Sequence, residues 1–294
     1  MSKGTAMKRS LTLILLAVLL CGCTSQPAAQ VAATTLPVYE FTSRLCEGTG
    51  ITVTRLVTER VSCLHDYSLN VNQVKAAEAA EAIVISGAGL EEFLHGVIDE
   101  SKTIDASTGI ELICPEEEDH DHDHEGHHHE SDPHIWLSPA NAKTMAQNIC
   151  AGLSREYPAH AATFEKNLVP LLSDLGDLQS YGENALANLS CRELVTFHDG
   201  FSYFADAFDL HIIQAEEEES GREASAKELI EMIRLVEGHH LPAIFTEVSG
   251  SVSAAGIIAR EEGCGQFALD MAMAGDSYFE AMYHNIDTIQ EALQ

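Results

Sequence analysis

Histidine alternates with acidic residues in one short stretch of this sequence, Asp119–His134, which reads DHDHDHEGHHHESDPH. The stretch holds seven of the fifteen histidines of the chain within sixteen residues. Imidazole is a preferred ligand of zinc and of the neighbouring first-row transition metals. The stretch has no apolar face to bury, so we expect residues 116–131 to form a solvated loop that collects metal ions weakly. Its candidate ligands are His120, His122, His124, His127, His128 and His129.

A second group of candidate ligands is dispersed along the chain rather than clustered. Its members fall just past the carboxyl ends of predicted strands or in the loops that follow, and they are His65, His134, His198 and Asp270. Loops converge at the carboxyl edge of an open parallel sheet, which is where ligands bind. Three neutral imidazoles and one carboxylate make a tetrahedral set that suits Zn²⁺. We therefore predict one ordered metal site in addition to the loop.

The elements that must position these residues alternate between strands and helices. Strands are predicted at 31–35, 52–57, 82–86, 194–197, 243–246 and 266–269, with helical patterns between them. This order predicts an α/β fold with parallel sheets covered on both faces. A long leucine-rich helical stretch, 159–189, separates the two groups of strands. We interpret it as the connecting helix between an N-terminal lobe, 23–158, and a C-terminal lobe, 190–294.

The chain begins with a predicted targeting segment, residues 1–22. Three basic residues precede an apolar run of ten, Leu11–Leu20, which is too short to remain as a membrane span. The sequence LCGC that closes the run resembles the lipobox of bacterial lipoproteins and predicts acylation of Cys23. An ordinary cleaved signal, with Cys23 as a plain thiol, is the alternative. We expect an exported protein held on the extracytoplasmic face of the cell membrane.

Charge and cysteine content limit the remaining possibilities. The formal net charge of −30 excludes nucleic acid, itself anionic, as a partner. An exported chain permits disulfides, and sequence cannot resolve whether the later cysteines pair or are structural thiols. No CxxC spacing occurs among them, so a thiolate zinc site is not expected. The cysteines are Cys46, Cys63, Cys114, Cys150, Cys191 and Cys264.

The segments around the four dispersed ligands resemble those of a known family, the zinc/manganese solute-binding proteins of ABC transporters (cluster A-I, ZnuA/TroA-like). The motifs are HDYSLN at His65, DPHIWLSPANA at His134, TFHDGFSYFA at His198 and ALDMAMAGDSYFEAM at Asp270. The resemblance runs from about Val31 to the C-terminus. An acidic histidine-rich loop before DPH also occurs in the zinc-specific members. The first motif departs from the family pattern, which usually has a proline before the histidine.

The resemblance implies a receptor with two Rossmann-like (βα) lobes joined by a rigid long helix. The four ligands would hold one ion in the cleft between the lobes and present it to a membrane permease and its ATPase. The manganese members usually have a carboxylate where this chain has His198, so the nitrogen-rich site favours Zn²⁺ over Mn²⁺. Glu247, in FTEVSGS, matches a family carboxylate near the cleft and is interpreted as a support for the ligands.

The predicted function is therefore the capture of extracytoplasmic zinc by a monomeric lipoprotein, without catalysis. A manganese- or iron-binding member of the same family is the first alternative. A zinc-dependent hydrolase is the alternative from another class, because three histidines with an open position are also a catalytic geometry. A cell-adhesion protein that uses zinc only for its shape is a third.

Overall fold

The computed structural model describes residues 30–59, 64, 67–114, 131–215, 225–248, 250 and 252–294. It confirms the α/β fold of two lobes, each built on a parallel four-stranded sheet. The predicted signal peptide, Cys23, His65 and the six loop histidines lie outside these residues. The exact lobe boundaries stay a prediction.

The first sheet and its helices come from the N-terminal part of the chain. They are β1 (Val31–Ala33), α1 (Leu36–Leu45), β2 (Val53–Arg55), α2 (Val71–Ala79), β3 (Ala82–Ile85) and β4 (Thr103–Asp105). Side chains on both faces of this sheet are buried: Ala33 faces the main core, whereas Ala32 faces a smaller cluster with Leu56 and Ile83. Burial on both faces explains why the inner strands β1 and β3 are continuously apolar instead of alternating.

Two long helices follow, α3 (Pro139–Glu156) and α4 (Ala161–Ala185). Ser138 caps α3 by accepting a hydrogen bond from Asn141 N–H, and Pro139 occupies the first helical position, as the sequence predicts. Helix α4 contains Pro170 and nevertheless runs as one helix of 25 residues. It packs along α3 and lies between the two sheets in chain order, where a connecting helix is predicted.

The second sheet and its helices come from the C-terminal part of the chain. They are β5 (Glu193–Thr196), α5 (Ser202–Ala207), β6 (His211–Ala215), α6 (Ala226–His239), β7 (Ala243–Glu247), α7 (Ser253–Glu262), β8 (Gly265–Leu269) and α8 (Tyr278–Leu293). Strand residues again alternate between two cores: Phe245 joins the main core, and Ile244 joins a separate cluster under α6 and α7. The main core extends through both lobes and both long helices, so the lobes share one packed interior.

The two sheets have the same topology, with strand orders β2-β1-β3-β4 and β6-β5-β7-β8. In each sheet the chain first adds a strand on one side of the starting strand and then crosses to the other side. The point where the order reverses lies between β1 and β3 in one lobe and between β5 and β7 in the other. Ligands bind outside the carboxyl ends of the strands at such a point.

The structure adds two strands that the sequence analysis lacks, β4 and β6. Both are edge strands, at one end of each sheet. Strand β4 has three residues, of which only Ile104 is buried, and β6 has no buried residue. Neither strand therefore has the buried apolar run by which the inner strands are recognised.

Five of the six later cysteines are described, and none of these five is in a disulfide. Burial raises the pKa of the Cys46 thiol to about 12, so this group is a packed, unreactive thiol. Among the described helices, none has the length and apolar character needed to cross a bilayer.

Candidate metal centre

His134 is held by the residue two positions before it. The Oδ1 atom of Asp132 accepts a hydrogen bond from His134 N–H at 2.9 Å and contacts the ring Nδ1 at 2.8 Å. An ionised carboxylate only accepts hydrogen bonds, so Nδ1 carries the ring proton. That tautomer leaves Nε2 as the ring nitrogen with a lone pair for a metal ion. A carboxylate behind a ligating imidazole is the usual support of metal-binding histidines.

His198 has a carboxylate in the corresponding place. It lies just beyond β5, and Glu247 is the last residue of the neighbouring strand β7, so the two residues flank the point where the strand order of this sheet reverses. Nδ1 of His198 lies 3.9 Å from Oε2 of Glu247, and both side chains are buried. This distance is longer than a direct hydrogen bond. The supporting role of Glu247 stays a prediction.

The two histidines approach each other although they come from different lobes. Their ring centroids are 5.4 Å apart and the rings meet edge to face. Gly200 lies between them: a Cβ atom there would be 2.9 Å from His134 Nδ1, 2.9 Å from His198 Cδ2 and 2.6 Å from Met271 Cε. These contacts are far shorter than van der Waals distances. The glycine of HDGFSY is therefore required so that the two imidazoles can meet.

Asp270 follows β8 directly, and two neighbours fix its backbone and side chain. Its N–H donates to Asn285 Oδ1 and its carbonyl accepts from Asn285 Nδ2, both at 2.7 Å. Its Oδ1 accepts from Ala272 N–H at 2.8 Å. Asn285 is completely buried on α8. The position of the Asp270 main chain is thus determined by the closing helix.

The segment after Asp270 crosses to the other lobe and is bonded there. Trp136 Nε1–H donates to the carbonyl of Met271, and Tyr278 Oη–H donates to the carbonyl of Trp136, both at 2.8 Å. Arg55, at the end of β2, donates to the carbonyl of Gly275 at 2.8 Å. These bonds tie the motifs of His134 and Asp270 together across the two lobes.

The structure thus brings together His134 and His198, each with its carboxylate, and places Asp270 directly after β8, the strand that pairs with β7. Within the described part of the chain, no three potential ligands are close enough together to hold a metal ion. Asp270 therefore does not complete a three-ligand group with the two histidines, and His65 lies outside the described residues. Sequence reasoning missed Asp132 and Asn285. Only Asp132 has a local signal, an acidic residue two positions before a candidate ligand.

A family model matches nearly the whole described chain. Residues 31–292 match the model described as ZnuA, zinc-uptake complex component A, periplasmic. The chain belongs to the ZnuA family. The resemblance predicted from the four motifs is therefore confirmed, together with the two-lobe fold that it implies.

Named relatives and solved structures of the ZnuA type are similar along most of this chain. The zinc-binding lipoprotein AdcA of Streptococcus pneumoniae is 30% identical over an alignment that covers 94% of this chain and 59% of AdcA. This chain thus spans a little over half the length of that relative. A crystal structure of ZnuA is 29% identical with a TM-score of 0.76, covering 90% of this chain and 100% of that one. The Zn(II)-bound AdcA of S. pneumoniae is 26% identical with a TM-score of 0.75, covering 90% and 57%.

Proposed function

We propose that this protein captures Zn²⁺ outside the cytoplasm and delivers it to an ABC transporter for import. The observation that carries the proposal is the pair of buried imidazoles contributed by two lobes, His134 and His198, with ring centroids 5.4 Å apart. Each has a carboxylate, Asp132 or Glu247, on its Nδ1 side. The Nε2 atoms are then the donors to a shared cargo ion.

Asp270 and His65 complete the proposed ligand set. Oδ1 of Asp270 is engaged by the following turn, so Oδ2 is the candidate donor oxygen. His65 follows β2 in the sequence and lies outside the described residues. Binding of the ion would draw these two donors toward the histidine pair. The set of three imidazoles and one carboxylate favours zinc over manganese, because Mn²⁺ prefers oxygen donors.

Family membership and sequence support the remaining parts of the proposal. ZnuA is described as the periplasmic component of a zinc-uptake complex, which supports a membrane permease and its ATPase as partners. The relative AdcA is named a lipoprotein, which supports a lipid anchor at Cys23. The acidic histidine-rich segment is proposed to collect zinc reversibly and to supply it to the ordered site.

Metal binding by the purified protein tests the ordered site. Zinc affinity is measured by chelator competition on the wild type, on the double variant His134→Ala/His198→Ala, and on a variant lacking residues 116–131. His211→Ala, an exposed histidine of the edge strand β6, is the matched control. We expect one tight zinc ion in the wild type, in the control and in the deletion variant, and a loss on the order of 100-fold or more in the double variant.

Two outcomes would overturn this assignment. The first is unchanged tight binding by the double variant, and the second is loss of the tightest site on deletion of 116–131. Competition between Zn²⁺ and Mn²⁺ distinguishes the zinc proposal from a manganese receptor. Delivery is tested separately in a deletion strain, in which poor growth under chelation should be restored by added zinc.

A further inference from the structure

Tyr203 is a buried residue of the His198 motif for which the sequence predicts no role. It lies on α5, in the segment HDGFSY that also contains His198 and Gly200. The helix packs against the short 3₁₀ helix Ile135–Leu137, which begins directly after His134. Tyr203 therefore belongs to the lobe of one histidine and touches the segment that contains the other.

The phenol of Tyr203 makes both of its hydrogen bonds to the main chain of the opposite lobe. Its Oη accepts from Ile113 N–H at 2.9 Å and donates to the carbonyl of Asp132 at 3.1 Å. Asp132 N–H in turn donates to the carbonyl of Ile113 at 2.9 Å. The three bonds form a closed ring. Through it, a single hydroxyl group joins Ile113 and Asp132, the residues that flank the histidine-rich segment in the sequence.

This ring determines where the Asp132 backbone lies, and Asp132 determines the orientation of His134. The Asp132 carboxylate engages both the N–H and the ring Nδ1 of His134, so a change in the Asp132 main chain is passed to the imidazole. Asp132 is therefore the one residue that connects the Tyr203 hydroxyl to the His134 imidazole. The side chains of His134 and Tyr203 are nearly inaccessible to solvent, so water cannot readily replace these contacts.

We propose that Tyr203 is a positioning residue for zinc binding, whose hydroxyl acts from the second lobe through Asp132 to hold His134 in its metal-binding orientation. The proposal rests on the proposed zinc-binding function and deepens it. Tyr203 and His198 belong to the same lobe. A shift of that lobe relative to Asp132 would therefore have two effects at once: it would separate the two imidazoles, and it would break the hydrogen bond between Tyr203 and the Asp132 carbonyl. Zinc affinity thereby becomes sensitive to the relative position of the lobes.

Tyr203→Phe tests the hydroxyl alone, because the substitution keeps the ring and its packing. We expect the zinc dissociation constant to rise roughly 5- to 10-fold, as for the loss of one to two buried hydrogen bonds. With Co²⁺ in place of zinc, the visible absorption bands should shift because the His134 donor moves. Tyr181→Phe is the matched control, since Tyr181 donates to Asp287 on the helix pair α4–α8. The control should leave affinity and spectrum unchanged.

A double-variant comparison tests the route through Asp132. If Tyr203 acts through Asp132, adding Tyr203→Phe to Asp132→Ala should enlarge the affinity loss of Asp132→Ala by less than twofold. Additive losses would overturn the proposal, and so would wild-type affinity with an unshifted Co²⁺ spectrum in Tyr203→Phe. Affinities are expressed per folded molecule, with the folded fraction taken from thermal unfolding of the metal-free variants. Failure of the wild type to bind one zinc ion tightly would instead contradict the proposed function itself.

Discussion

The side-chain amide of Asn285 holds both main-chain polar groups of Asp270. The amide oxygen accepts from Asp270 N–H and the amide nitrogen donates to Asp270 carbonyl, each at 2.7 Å. Asn285 is fully buried, and its helix closes the second lobe. A residue of the last helix thus fixes the backbone of a proposed ligand at the end of the last strand.

Asn285→Ala should therefore affect both stability and metal binding. The substitution leaves a buried donor and a buried acceptor without partners, so the free energy of unfolding should fall by about 2–4 kcal/mol. Zinc affinity should also fall, because the main chain that carries Asp270 is no longer fixed. Urea unfolding of the metal-free protein and chelator competition measure the two effects. Asn184→Ala, which removes an exposed amide from α4, is the control and should change neither. Unchanged zinc affinity in Asn285→Ala would contradict a ligand role for Asp270.

Asp132 provides a graded test of how the histidines are supported. Asn in its place keeps an oxygen that accepts from His134 but loses the negative charge, whereas Ala loses both. Zinc affinity should fall in the order wild type, Asp132→Asn, Asp132→Ala, with a loss of roughly 10- to 100-fold for Ala. The control is Asp99→Ala, because Asp99 bonds the N–H two residues later as Asp132 does, without a histidine. Equal affinities for Asp99→Ala and Asp132→Ala would show that the carboxylate does not support the ligand.

Local sequence signals were sufficient to predict most of the elements. Ser138 and Pro139 predict the start of α3, because an N-cap followed by a proline at the first helical position is a pattern of adjacent residues that can be read from the sequence. The inner strands are predicted because burial on both faces makes them largely apolar, and the edge strands β2 and β8 are predicted as well. Strands β4 and β6 are absent from the prediction because backbone pairing with the neighbouring strands β3 and β5, and not the pattern of their own side chains, identifies them.

The same distinction applies to the residues of the proposed metal site. His134 and His198 stand in recognisable motifs, and Glu247 was assigned its place by the same resemblance. Asn285 and Tyr203 act over separations of 15 and 71 residues. Neither residue is a candidate metal ligand by its type, and its neighbours in sequence do not indicate its distant partner. Their roles arise from tertiary contacts, which periodicity does not encode.

Gly200→Ala should weaken zinc binding by steric displacement of the ligands. The added methyl group would lie within 2.6–2.9 Å of atoms of Met271, His134 and His198, so at least one of these side chains must move. We expect a loss of affinity of about tenfold or more, measured by chelator competition.

Gly176→Ala is the control: it lies inside α4, where an added Cβ comes no closer than 3.8 Å to Lys143. That variant should gain up to about 1 kcal/mol of stability from helix propensity, with unchanged affinity. Wild-type affinity in Gly200→Ala would show that the site tolerates a wider separation of the rings.

Glu91 lies at the point where the strand order of the first sheet reverses. His198 lies at the corresponding point of the second sheet. Its carboxylate accepts hydrogen bonds from Thr34 Oγ1 at 2.6 Å, Ser86 N–H at 2.7 Å and Gly87 N–H at 3.0 Å. It therefore joins the carboxyl ends of β1 and β3. Burial raises the pKa of Glu91 from 4.5 to about 7, against the lowering effect of these hydrogen bonds. The first lobe thus has a buried acid at the position that corresponds to that of the proposed ligand His198 in the second lobe.

This raised pKa predicts a pH-dependent stability of the metal-free protein. The folded state holds the Glu91 proton more tightly than the unfolded state, so its contribution is complete below about pH 4.5 and is lost as the pH rises to about 7. Between pH 5 and pH 8 the unfolding free energy of the wild type should fall by about 2–3 kcal/mol more than that of Glu91→Gln, which cannot ionise. Gln turns an amide N–H toward Gly87, so it lowers stability at both pH values and only the difference between them is informative.

Urea unfolding at the two pH values measures this difference in unfolding free energy. The exposed neighbour provides the control, Glu92→Gln, which should retain the wild-type pH dependence. Parallel pH profiles for wild type and Glu91→Gln would show that the buried carboxyl does not titrate in this range.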